Sequence, residues 1–137
     1  MGIVIGFSLD RLYSLYADKK NRRKLKGNLV NELKSCQQLL KGLGNLLPTT
    51  MWNSAISSGD IRLLSYTDRS NLSSLYFEID NFNYEAKRVR DVAVMVNTTH
   101  SNDAISYWKG LTVDMMNNEL LLKEKITKVL ESKMWVR

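Results

Sequence analysis

A chain of 137 residues with one proline, seven glycines and 44% apolar residues is one domain's worth of globular sequence and argues against a turn-rich β fold. Its single cysteine, Cys36, excludes an intramolecular disulfide and suits a reducing compartment. The net charge of +6 is confined to one end: residues 1–41 hold nine Lys/Arg against three acids, and the remainder holds eleven of each sign. A high pI raises nucleic acid as a partner, but an excess held in one helix asks for a more local explanation.

The chain opens on "MGIVIGFSL". Nine residues of helix rise only ~14 Å, where a bilayer core needs ~20 residues, so this run cannot span a membrane alone. A signal peptide would carry its basic residues ahead of the apolar run. Here they follow it, which fits the end of a transmembrane helix or a short monotopic anchor with cytoplasmic Lys/Arg behind it. Tyr13 and Tyr16 stand where interfacial aromatics would stand. The alternative is that these are the first turns of a soluble helix. The expected division is an apolar segment, 1–16, continuous with a single helical-bundle domain, 17–137.

From about Ser8 to Lys41 the pattern predicts a first long helix. Leu12, Leu15 and Tyr16, then Leu25, Leu29, Leu33, Cys36 and Leu40, recur at three- and four-residue steps and are expected on one stripe. Between the two apolar blocks lie Lys19, Lys20, Arg22, Arg23, Lys24 and Lys26. This run reads as a contact for an anionic membrane surface, with a solvated face and a nucleic acid contact as the competing readings. Gly42 and Gly44 then end the helix.

"LLPTTMWNSAISSGDIRLLSYTD", residues 46–68, interrupts the periodicity. Pro48 pushes Leu47 out of the helical region. Thr49 or Thr50 can cap a short helix from about Met51 to Ser57, Gly59 can end it in the left-handed conformation, and Asp60 can cap the next turn. This corner, about residues 49–64, is expected to carry Trp52, Ile61 and Leu64 over the open end of the bundle. After it, Ser65 or Thr67 can cap a second long helix with the stripe Leu72, Leu75, Tyr76, Ile79, Phe82, Ala86, Val89, Ala93 and Val96. Asn83 lies within that stripe. It is either a buried, register-fixing amide with Asn28 or Asn31 as partner, or an edge residue in water. The polar run 97–103 predicts a turn, with Asn102 or Asp103 capping a third long helix that carries Ile105, Trp108, Leu111, Met115, Leu122 and Ile126. The fold class expected is all-α: an antiparallel bundle of three long helices with a short helical corner between the first two.

The corner also carries a resemblance. Leu47, Pro48, Thr49, Trp52 and Ala55, followed by Ser58, Gly59, Asp60, Leu63 and Leu64, form an LPTxxWxxA…SGDxxLL pattern. It resembles one in archaeal and bacterial membrane-tethered α-helical proteins of no known activity. The resemblance covers residues 8 to 90 and implies a membrane-tethered helical domain. It supplies no catalytic residues, and the apolar start of this chain is shorter than the family's.

Chemistry-bearing constellations do not read from the sequence. His100 is the single histidine and sits in a polar run. One histidine and one cysteine cannot make a structural zinc site, and no Glu-x-x-His motif supplies a di-iron bundle. Glu32, Glu78, Glu85 and Glu119 are spread over three helices and could in principle meet, but most of them read as solvated. The expectation is a protein that is not an enzyme, uses no cofactor or metal and takes no small-molecule substrate. Its expected place is the cytoplasmic face of a membrane, and its expected partners are the membrane surface and helical faces of itself or another protein. A soluble homo-oligomeric scaffold is the alternative, and a nucleic-acid-binding accessory protein the weaker one.

Overall fold

The computed structural model describes residues 2–42 and 44–136, with the backbone alone for residues 2–5. It is all-α, with no strand among the described residues. Four α-helices, α1 Gly2–Leu39, α2 Thr50–Ser58, α3 Tyr66–Thr99 and α4 Asn102–Leu130, are joined by a 3-10 turn at Asp60–Leu63 and followed by another at Lys133–Trp135. Met1 and the side chains of residues 2–5, part of the expected apolar segment, lie outside the described residues.

The helix ends follow local chemistry. Gly44 and Gly59 adopt φ of 80° and 78°, a backbone that side-chain-bearing residues resist. Ser65 Oγ accepts the Asp68 N–H at 3.1 Å and starts α3. Two expected caps are corrected. Thr49 is the N-cap of α2 but makes no side-chain cap bond. Asp60 is inside its 3-10 turn rather than capping it; its own N–H donates to Ser58 Oγ at 3.3 Å. The expected turn at 97–103 shrinks to His100 and Ser101, because the Thr98 and Thr99 hydroxyls donate back to Met95 O and prolong α3. Ser101, not Asn102 or Asp103, accepts the Ala104 N–H and caps α4.

Hydrogen bonds between elements set the topology. Gln37 Nε2 donates to Thr127 Oγ1 at 2.8 Å and the Lys26 ammonium to Met134 O, so α1 and α4 run antiparallel. Lys125 pairs with Glu78 at 2.7 Å across the α3–α4 hairpin. Residues 44–64 descend along α3. The Gly44 carbonyl accepts from Arg90, Leu47 meets Asn83, and Trp52 stacks on Tyr76. The corner is therefore not a lid on the bundle's end. It travels back some 14 residues' worth of α3, ~20 Å, and makes a fourth column beside α1 and α3. Its Leu47, Trp52, Ala55, Leu63 and Leu64 join one core with Leu29, Leu33, Cys36, Leu72, Tyr76, Ile79, Met115 and Ile126.

Asn83 is the hinge pin of that column. Its Oδ1 accepts the Leu47 N–H at 2.7 Å and its Nδ2 donates to Leu47 O at 2.9 Å. The partner is the backbone of the residue before Pro48, not Asn28 or Asn31. Pro48 keeps Leu47 extended, which leaves both of its backbone polar groups without a helical partner. The amide satisfies both and fixes the register of the returning segment against α3.

The first long stripe is corrected. Leu25, Leu29, Leu33, Cys36 and Leu40 are buried, whereas Leu12, Leu15 and Tyr16 are exposed. At 3.6 residues per turn, Leu12 and Tyr16 lie roughly 100–140° around the axis from the core residues. Leu12 and Tyr16 thus face another way, whereas Leu15 stays in line with the core stripe and is exposed all the same.

Candidate functional site

Two places gather the residues that could carry a function: the part of α1 that leaves the bundle, and a polar cluster inside it.

Residues 2–24 form an arm of ~34 Å. An isolated helix must bear an unfavourable nucleation step in water, but this one is continuous with the packed half of α1, which bears that cost. No proline interrupts it. Phe7 and Tyr13 are 74% and 75% exposed, and Leu9, Leu12, Leu15 and Tyr16 are exposed as well. Leu9, Leu12, Tyr13 and Tyr16 share one face. One turn later that face carries Lys19, Lys20 and Arg23, within roughly 50° of it, while Asp10 and Asp18 lie on the opposite side. The arm thus has an oily stretch and a cationic cuff behind it, with Asp10 turned away and Asp18 bordering the cuff beside Lys19, Arg22 and Arg23.

The six basic residues read from the sequence do not stay together. Lys19, Lys20, Arg22, Arg23 and Lys24 are exposed. Lys26 is corrected: it is buried, with its ammonium on the carbonyl of Met134. The C-terminal 3-10 turn had no counterpart in the sequence reading. It folds under the root of the arm, with Met134 in the core and the Trp135 indole N–H donating to Val129 O at 2.7 Å. No helix among the described residues is long and apolar enough to cross a membrane.

The second place is the carboxylate of Glu32, which is buried rather than solvated. Its Oε2 accepts the Met51 N–H at 2.6 Å; its Oε1 accepts the Trp52 N–H at 3.2 Å and the Tyr76 hydroxyl at 2.8 Å. A side chain of α1 therefore does what Thr49 was expected to do, placing a negative charge at the N-terminus of α2. The sequence held a signal: Glu32 lies beside Leu29, Leu33 and Cys36, at the edge of the packed stripe. Trp52 and Tyr76 stack over this node, centroids 4.8 Å apart and 3° from parallel. Cys36, one turn on from Glu32, donates its thiol to Pro48 O at 3.3 Å.

This cluster offers no nucleophile. Burial, and then the nearby Glu32 charge, push the Cys36 thiol up to about 12, and the same causes raise the Tyr76 phenol above its ordinary range. Both groups stay protonated and bind the columns together. Both shifts make the fold sensitive to alkali. The unfolded thiol gives up its proton near 9.0 and the folded one only near 12, so the stability it contributes is present below pH 9.0 and is lost between the two values. The denaturant midpoint is expected to fall steadily across that window, and the fall should lessen in Cys36→Ala. An unchanged midpoint would contradict the burial of both groups.

Of the remaining candidates, Pro48, Trp52, Gly59 and Asn83 hold the returning column, and exposed His100 takes φ 51° in the α3–α4 link. Among the described residues no group of His, Cys, Asp or Glu is arranged to hold a metal ion. Compared with protein-family models, with curated proteins and with solved structures, the chain matches none.

Proposed function

We propose that this chain is a non-enzymatic, membrane-associated helical module on the cytoplasmic face of a membrane. Its arm lies against the bilayer surface and its bundle presents helical faces to itself or to a protein partner. The observation that carries this reading is the shared face of the arm: Leu9, Leu12, Tyr13 and Tyr16 exposed, Lys19, Lys20 and Arg23 directly behind them, and Asp10 and Asp18 across the helix. A bundle has no use for such a face in water. Each large apolar side chain entering the acyl boundary contributes ~1.5–3 kcal/mol, and each basic residue beside anionic lipid about 1 kcal/mol. An oily segment followed by cations also orients the body toward the cytoplasm.

Sedimentation of the full chain with vesicles tests it. The protein should pellet with phosphatidylcholine vesicles containing an anionic lipid, more weakly with phosphatidylcholine alone, and release as salt rises. Leu12→Glu combined with Tyr16→Glu should leave it in the supernatant. A wild-type chain indifferent to both vesicle types would end the proposal.

The same exposed side chains support a second reading, a soluble homo-oligomer in which Leu12, Leu15 and Tyr16 of two copies form a seam. Light scattering separates the two, since that reading requires the particle mass to fall to one chain in the Leu12→Glu, Tyr16→Glu variant. Nucleic acid is the third class. It would need retention on duplex DNA at moderate salt through Lys19, Lys20, Arg22, Arg23 and Lys24.

A further inference from the structure

Where the arm meets the C-terminal turn, the two elements enclose an open groove of about 820 Å³. Among the described residues, Lys19, Arg22, Arg23 and Lys26 line it, together with the carboxylate of Asp18. We infer that this groove binds the phosphomonoester headgroup of an anionic lipid. The inference rests on the membrane reading above and names the lipid that the arm would select.

The spacing of the cations carries it. Lys19, Arg22, Arg23 and Lys26 stand three and four residues apart in every adjacent combination, so each is a helical neighbour of two others. Like charges at this spacing repel and destabilise the helix. No ion pair relieves Lys19, Arg22 or Arg23 among the described residues, including the available i,i+4 pair of Asp18 with Arg22. Lys26 is fixed to Met134 O and holds the C-terminal turn against the arm as the opposite wall. Among the described residues, Lys19, Arg22 and Arg23 against Asp18 leave an excess of two charges in the groove, without counting Lys26. A phosphomonoester carries ~−1.5 to −2 at neutral pH, against −1 for a phosphodiester, and offers three terminal oxygens to forked guanidinium donors. The apolar part of the wall fits the rest of a lipid. Leu15 lies on the side of the oily stretch, Val136 is 86% exposed, and the half-buried Trp135 is the residue type that favours the headgroup level. Lys20 and Lys24 belong to the same two helical turns but do not line the groove, so they serve as internal controls.

The test uses the full chain and phosphatidylcholine vesicles containing either phosphatidic acid, a monoester, or phosphatidylglycerol, a diester, at matched surface charge. Binding to the monoester vesicles is expected to be roughly tenfold tighter, the scale of one added charge-assisted contact. Arg22→Ala should abolish that preference, whereas Lys20→Ala should weaken binding to both vesicles alike. Equal affinity for the two lipids, with Arg22→Ala and Lys20→Ala indistinguishable, overturns the site and leaves the membrane reading standing. Binding to neither vesicle overturns both. Glycerol 3-phosphate, added as a soluble monoester, should compete only weakly. If it raises the melting temperature of the chain while no vesicle is bound, the groove serves a soluble phosphate compound and the lipid assignment is wrong.

Discussion

Glu32→Ala is expected to cost the fold about 3 kcal/mol, the scale of breaking a buried charged hydrogen-bond node. The side chain itself contributes little apolar contact. The loss comes from what it leaves behind. The Tyr76 hydroxyl, inside the core, and the Met51 and Trp52 N–H groups at the start of α2 all donate to this one carboxylate. Removing it orphans three donors, at least one of them far from water. Glu32→Gln keeps an acceptor oxygen but turns an amide N–H₂ toward a donor, so its cost should fall between alanine and wild type. Equilibrium denaturation measures both. The coupling with Tyr76→Phe gives the sharper check, because that substitution removes only the hydroxyl. If the costs of Glu32→Ala and Tyr76→Phe add within ~0.3 kcal/mol, the two groups do not act as one node.

Trp52→Ala should be at least as severe, about 3–5 kcal/mol for a large aromatic taken out of a packed core. The indole is 5% exposed and lies flat on Tyr76. It is also the largest side chain that the returning segment contributes to the core. Without it, the buried apolar side chains of the fourth column are the smaller Leu47, Ala55, Leu63 and Leu64, and its register rests on hydrogen bonds such as the Asn83–Leu47 pair. Trp52→Phe retains the stacking partner and should cost about a third as much. Loss of less than ~1 kcal/mol on Trp52→Ala would mean that residues 44–64 are not packed along α3. Because Glu32 and Trp52 share Tyr76, the double variant is not expected to be additive.

The two substitutions also separate the body from the arm. The hydrogen bonds of Glu32 and the ring stacking of Trp52 are made to α2 and α3 and not to residues 2–24, so conservative variants that stay folded should sediment with vesicles as wild type does. Arm variants such as Leu12→Glu should leave the denaturant midpoint unchanged, since the side chain is already in water. The proposed function divides along that line: a rigid mount on one side, an interface-seeking helix on the other, joined through Lys26 and the C-terminal turn.

The helices, most of their buried faces and several of their ends were legible in the residues alone. Apolar side chains at three- and four-residue steps mark a helix whatever surrounds it. Ser65 and Gly59 act through bonds to their own neighbours, which a linear reading can see. The exposed cations Lys19, Lys20, Arg22, Arg23 and Lys24 were likewise visible as a charged run. What escaped that reading depends on contacts between distant segments. Glu32 reaches Tyr76 across 44 positions, Asn83 reaches Leu47 across 36, and Lys26 reaches Met134 across 108. Periodicity reports which face of a helix is oily but not what covers it. Leu12 and Tyr16 therefore looked like a continuation of the core, when no column of the bundle extends far enough to meet them. The fate of a lone carboxylate or lysine at the edge of a stripe is set in the same way. Buried charge is tolerated only where donors or acceptors from elsewhere converge on it, and that convergence exists only once the columns have packed.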